Sequence, residues 1–334
     1  MSQYTERART SAAVEWLNDN AQVLSIALFF VVCMTFFGIL SDTFLTTGNL
    51  LNVMRQAAPV LVVAVAMTFV IVTAGIDLAV GSIVALINAL AAILMANGFD
   101  WGSTVLMMLV AGAFVGLMQG WFIAFQGIPA FIVTLAGMSI LRGVALLITE
   151  GYSVPIKDQA GFFWLGRGTL MGLPVPGIIA VLIAVLGFIV LWRTRYGRQV
   201  VAVGSNLEAA RRVGMPARWI LCSVYMVSGI ACAVAGLLIA ARLGSGSSNA
   251  AVGFEMQVIA AVVLGGTSLM GGRGSIIGTV LGTLTISIIG NGLILLHVSP
   301  FFTQIVTGVI ILAAIWMNTR LFGGGFKIGG KKGN

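Results

Sequence analysis

The sequence predicts an all-α fold: a polytopic integral membrane bundle of about ten transmembrane helices with both termini cytoplasmic. Three observations predict it. Hydrophobic residues make up 59% of the 334 and charged residues only 8%, against about 25% charged in a soluble domain. The apolar residues fall in runs close to 20 long, the length that crosses about 30 Å of hydrocarbon as helix. Lysine and arginine gather on alternate connections between those runs.

The runs lie at 21–41, 58–74, 79–98, 103–126, 129–149, 174–193, 218–242, 255–270, 274–297 and 300–318. They are continuously apolar rather than alternating, which argues against spanning strands. The chain thus divides into an N-terminal cytoplasmic segment (1–20), a transmembrane domain (21–318) and a basic cytoplasmic tail (319–334). Residues 1–20 carry no apolar core followed by a small-residue cleavage site, so the first span is expected to be an uncleaved anchor. Ten spans put the termini and the even-to-odd connections on one side, where thirteen of the eighteen lysines and arginines collect. The other side holds Arg55, Lys157, Arg167 and Arg242, and Arg142 lies inside a span. An odd number of spans would split the terminal cations and weaken this bias. The longest external loop is Glu150 to Leu173, with Lys157 and Asp158. The longest cytoplasmic loop, Arg193 to Arg218, carries six arginines.

Composition also excludes function classes. The net charge of +8 sits at membrane flanks, which points to lipid headgroups as the partner and not to nucleic acid. Cys33, Cys222 and Cys232 lie in apolar runs without metal-ligand spacing and read as small apolar fillers. The single histidine, His297, closes the ninth span, and no paired acids, metal cluster or hydrolase elbow accompanies it. The tail places Gly325 four residues before Gly330-Lys331, but Lys332 stands where a phosphate loop needs Ser or Thr. No catalytic residue, metal or cofactor is therefore expected on this chain.

Glycine, at 43 residues, is roughly twice as frequent as average. Gly112, Gly116 and Gly120 form one four-residue stripe, and Gly274, Gly278 and Gly282 another, the pattern of closely crossing helices. Two further glycine-rich stretches break apolar runs: Gly75-Ile76-Asp77-Leu78-Ala79-Val80-Gly81-Ser82 and Gly266-Thr267-Ser268-Leu269-Met270-Gly271-Gly272-Arg273-Gly274. Broken helices expose backbone polar groups, tolerated at membrane depth only inside protein or beside a water-filled cavity. Gly75, Asp77, Gly81, Gly266, Thr267 and Ser268 are accordingly candidate helix-break or pathway positions. Asp77 either caps the following helix or touches a permeating solute. Arg142, costly at about 2.5–3.5 kcal/mol in a span, either ties to carbonyls or a neighbouring helix or lines a wet path. Glu255 opens the eighth span near the outer face.

The sharpest local signal is the loop at 194–217. Within it Arg198 precedes Gly204-Ser205-Asn206-Leu207-Glu208-Ala209-Ala210-Arg211-Arg212-Val213-Gly214. Asn206 is an N-cap, Glu208 stands in the first turn, arginines end the helix, and Gly214 with Pro216 stops it. The prediction is one short capped helix on the cytoplasmic face, shaped to dock into a partner's cleft.

These segments resemble the permease subunits of ribose-type ATP-binding-cassette importers. The Thr73-to-Ser82 turn looks like that family's Gly-Ile-Asp-Leu-Ser-Val-Gly-Ser motif, with Ala79 in place of the usual Ser. Thr134-Leu135 and Ser139-Ile140-Leu141-Arg142-Gly143 are similar to its fifth-span motif. Gly197 to Gly214 looks like its coupling loop, with Ser205 for a frequent Gly. Ala260 to Leu269 and Gly271 to Gly274 match its most specific signature, and the resemblance covers about residues 43–318. It implies a monosaccharide importer in the cell inner membrane. It further implies a second permease copy or paralogue, a separate ATPase subunit holding ATP and Mg, and a periplasmic sugar-binding protein. On this resemblance Arg198, Gly204, Asn206, Glu208, Ala209, Ala210, Arg211 and Gly214 form the ATPase-coupling loop. The alternative is an ion-coupled secondary transporter of a small polar solute, which also uses broken helices but needs more carboxylates than these spans contain.

Overall fold

The computed structural model describes residues 21–157, 159–299 and 302, 305, 308, 309 and 312. The terminal segments 1–20 and 319–334, Asp158 and most of the tenth run lie outside the described residues. Twelve helices are described: α1 (Ala21–Leu40), α2 (Thr47–Val72), α3 (Val80–Ala96), α4 (Trp101–Ala124), α5 (Ala130–Thr149), α6 (Ala160–Arg167), α7 (Val175–Arg193), α8 (Arg195–Ser205), α9 (Leu207–Arg212), α10 (Ala217–Leu243), α11 (Phe254–Leu264) and α12 (Ile276–Leu295). Nine of the ten predicted runs coincide with helices. Seven of these (α1, α2, α4, α5, α7, α10 and α12) are long and apolar enough to cross a membrane, while α3 and α11 are shorter.

Caps and breaks account for the helix ends. The Asp100 carboxylate accepts from the Gly102 and Ser103 amides at the start of α4. Ser275 Oγ accepts from the Gly278 amide at 3.0 Å to begin α12. Such caps satisfy amides that no preceding turn can. The 255–270 run is helical only to Leu264, because the chain turns at Gly265 and Gly266, the latter at φ 87°, a conformation open chiefly to glycine. Conversely, α2 begins eleven residues before its predicted run, at a cap where Thr46 Oγ1 accepts from the Asn49 amide. Asn49 and Asn291 of α12 then exchange side-chain hydrogen bonds at 2.9 and 3.0 Å. The polar residues at 49–56 masked this turn from a hydropathy reading.

The connection after α5 is structured. Strand β1 (Val154–Pro155) pairs antiparallel with β4 (Ser245–Gly246), and β2 (Thr169–Leu170) with β3 (Leu173–Pro174). Helix α6 lies between β1 and β2. The 194–217 loop also differs from expectation: it holds two helices, α8 and α9, not one. Gly197, Gly204 and three valines give α8 poor intrinsic propensity, and burial of Gly197, Val200 and Val203 against the bundle stabilises it instead.

Helices α2 and α10 form the enclosed centre, whereas α1, α4, α5 and α7 present Leu28, Leu106, Phe114, Leu147 and Leu182 outward. Such an outer surface suits hydrocarbon, where apolar side chains lose nothing by exposure. The first glycine stripe lets α4 cross α10 at backbone contact: a methyl at Gly120 would come 2.6 Å from the Cys222 carbonyl, and one at Gly112 2.7 Å from Ala233 Cβ. In the second stripe Gly278 faces Gly265, just past the end of α11, and Gly282 faces Ala261 within it. Gly274 is a correction to the pattern: it precedes the Ser275 cap and packs on Val72 and Thr267.

Candidate functional site

Three segments far apart in sequence converge at one end of the bundle. The Val72 carbonyl, last in α2, accepts from the Gly272 amide at 2.8 Å. Gly204, near the end of α8, lies directly over that carbonyl, where a side chain would collide with it and with the Gly272 nitrogen. Gly271, at φ 80°, fits between the Gly204 carbonyl and Ala74, and Gly272 fits against Ser205. Both glycine-rich breaks therefore share one contact, and α8 sits on it. Thr194 Oγ1 caps α8 by accepting from the Gly197 amide at 3.1 Å, and Tyr196 and Ser223 hydroxyls share a 2.7 Å bond that ties α8 to α10. Burial pushes the Tyr196 phenol above its ordinary range.

Helix α9 continues outward. Asn206 Oδ1 accepts from the Ala209 amide at 2.9 Å, Ala210 is buried, and Glu208, Ala209, Arg211 and Gly214 are exposed, as is Arg198 on α8. Gly214 adopts φ 79°, the stop that lets the chain leave α9.

From the junction the chain re-enters the bundle. Ala74 turns at φ 60°, and Gly75 to Leu78 run without helix toward α3. Gly75 packs against the Tyr225 hydroxyl, which has no hydrogen-bond partner among the described residues. Asp77 is almost fully buried: Oδ1 accepts from the Ala79 amide at 3.0 Å and Ser228 Oγ donates to Oδ2 at 2.8 Å. Thr134 Oγ1 of α5 donates to the Ile76 carbonyl at 3.3 Å. Ser228 is the twelfth residue of the 27-residue α10, so Asp77 lies roughly 17 Å along that helix, near mid-depth. On the other break, Thr267 Oγ1 accepts from the Ser275 amide at 3.4 Å, and Ser268 accepts from the Met270 amide while its own amide donates to the Arg273 carbonyl.

Arg142 belongs to a separate place. Its Nη1 donates to the Ser248 carbonyl at 2.6 Å and the Ala250 carbonyl at 2.9 Å, holding the 244–253 connection down into the bundle. Gly81 at the start of α3 meets Ala251 and Glu255 of the same region. Charge-assisted bonds contribute about 1.5–3 kcal/mol each. Arg142→Leu is expected to lower the unfolding midpoint in detergent by several degrees, with Arg142→Lys intermediate. An unchanged midpoint for Arg142→Leu would show that the tether carries no stability.

The fold thus joins Gly204, the 72–75 turn and the 271–272 turn, sets Asp77 and Gly75 deeper against α10, and leaves Arg142 and Gly81 nearer the opposite end. Sequence reasoning missed Tyr225 and Ser228, which sit in an uninterrupted apolar run. A serine level with a tyrosine one turn earlier was the available signal. Among the described residues no group of three or more His, Cys, Asp or Glu could hold a metal, and Cys33, Cys222 and Cys232 are buried and free.

The sequence model of the family described as "Branched-chain amino acid transport system / permease component" matches residues 49–315. The chain belongs to this permease family. Among its relatives, the "Probable ABC transporter permease protein YphD" of Escherichia coli K12 is 40% identical over 91% of this chain and 90% of its own length. The "Ribose import permease protein RbsC" of the same strain is 36% identical over 96% and 99%. The "Xylose transport system permease protein XylH" is 33% identical over 90% and 92%. No solved structure matches the chain significantly. The permease is a multi-pass membrane protein of helical architecture.

Proposed function

We propose that this permease is the membrane subunit of an ATP-binding-cassette importer that carries a monosaccharide, ribose or a related sugar, across the inner membrane. The observation that carries the reading is the near full-length likeness, in both chains, to a ribose import permease. On this reading the chain has ten spans with both termini cytoplasmic and hydrolyses nothing itself. A separate ATPase chain binds ATP and Mg, a second permease copy or paralogue completes the membrane unit, and a periplasmic binding protein delivers the sugar.

The junction supports a coupling route. Helices α8 and α9 form the surface a cytoplasmic ATPase meets, with Asn206 to Gly214 outermost. A push on α9 moves α8, and Gly204 bears on the Val72 carbonyl and the 271–272 turn without a side chain to cushion it. Both helix breaks then shift together, and with them the Gly75–Asp77 segment. Two discrete arrangements of packed helices transmit such a push better than a compliant contact.

Glu208 allows a clean test. Its only ion pair among the described residues is the exposed i,i+4 contact with Arg212 at 3.1 Å, worth well under about 1 kcal/mol in solvent. Glu208→Arg is expected to leave folding intact and reduce ATP-driven uptake more than tenfold, with the ATPase lost from a mild-detergent pull-down of the tagged chain. An ATPase retained at wild-type level with normal uptake would refute the coupling surface. Recovery of the wild-type chain alone, in detergent that preserves a known importer, would refute the importer reading.

A further inference from the structure

A cavity of about 450 Å³ opens at the end of the bundle opposite the α8–α9 junction, within the about 300–1,000 Å³ range of small-molecule sites. Its walls are the first half of α2, the last turn of α10, the start of α11 and the 249–252 part of the connection that Arg142 holds. Gln56, Asn249 and Gln257 contribute carboxamides and Arg242 a guanidinium, and Pro59 and Phe254 supply apolar surface. None of those four polar side-chain groups makes a hydrogen bond or ion pair among the described residues, although Arg242 is half-buried. Gln56, Asn249 and Gln257 are exposed, so water meets their carboxamides, whereas partly desolvating the Arg242 guanidinium without a partner is unfavourable and makes it the group that gains most from a ligand.

We propose that this cavity is a sugar-binding subsite, the first place in the permease where an incoming monosaccharide rests; the inference deepens the importer reading and rests on it. Sugar hydroxyls donate and accept at once, as carboxamides do, so three amides match them without choosing one polarity. The guanidinium fork donates two parallel bonds to a neighbouring pair of hydroxyls. Phe254 and Pro59 face the C–H surface of the ring. Among the described residues no carboxylate lines the cavity, and a single cation beside three neutral amides fits a neutral polyol better than a metal or an organic cation. Arg142 enters as a positioning residue, because its bond to the Ala250 carbonyl fixes one wall.

The test uses cells carrying the complete importer. Uptake of radiolabelled D-ribose, D-xylose, D-glucose and D-galactose first identifies the transported sugar. Gln56→Cys then places one exposed thiol in a chain whose described cysteines are all buried. Labelling of that thiol by a membrane-impermeant maleimide is expected to slow at least fivefold at saturating transported sugar and not with a non-transported one. Arg242→Gln and Gln257→Ala are expected to reduce maximal uptake about tenfold at wild-type membrane abundance. Unchanged labelling with the transported sugar present would overturn the subsite while the importer reading stands. Failure of all four sugars to enter would overturn both.

Discussion

Gly204→Val is expected to abolish uptake and to cut the amount of folded permease at least tenfold. The added carbons have nowhere to go: they meet the Val72 carbonyl and stand 3.0 Å from the Gly272 nitrogen at the first carbon alone. These are backbone atoms, already joined by the 2.8 Å bond that holds the two helix breaks together, so neither can yield by a rotamer change. Overpacking costs about 1–3 kcal/mol, and separating the Gly272 amide from its acceptor adds about 1 kcal/mol. Gly204→Ala should show a smaller loss of the same kind. Gly143→Ala serves as the control, since nothing lies within 4 Å of a methyl there. Abundance, unfolding midpoint and uptake are read together. A Gly204→Val permease that folds and imports normally would show that α8 does not rest on the Val72 turn.

Gly116→Leu should be comparably damaging by a different route. A Cβ at Gly116 would strike the Tyr225 carbonyl and lie 3.0 Å from the Met226 Cα, and Gly229 lies against Gly112 and Gly116 from the other side. Helices α4 and α10 would have to part along the whole stripe, removing close contacts that no hydrophobic effect replaces inside a bilayer. The expected cost is about 3 kcal/mol, visible as loss of the monodisperse peak in size-exclusion chromatography and a lower unfolding midpoint. Phe114→Leu, two residues away on the outward face at 60% exposure, should be close to neutral. Equal behaviour of the two variants would mean that the stripe is not a packing seam.

The legible and illegible parts of this protein separate along physical lines. The Asn206 cap, the Gly214 stop and the glycine breaks were readable because each depends on residues within a few positions of itself. Helix α8 was not, since its sequence disfavours helix and only burial against the bundle offsets that. The start of α2 was hidden because Asn49 looks like a loop residue until Asn291, 242 positions away, is brought beside it. The candidate coupling and helix-break positions could be listed from the sequence but not located relative to one another. Nothing in the sequence says that Gly204 stands on Val72, or that Asp77 meets Ser228 across 151 positions.

By itself, then, the sequence determined where the chain turns helical in the membrane and where those helices break. Hydrocarbon thickness and the need to satisfy every backbone amide act locally, on length and composition. Only the tertiary structure decided that α2 and α10 lie at the centre, that two breaks and one loop share a contact, and that four polar side chains surround a cavity. An apolar run satisfies a lipid tail as well as it satisfies another helix. The choice between them is made by shape, by glycines that let backbones touch and by the few polar groups that must find each other.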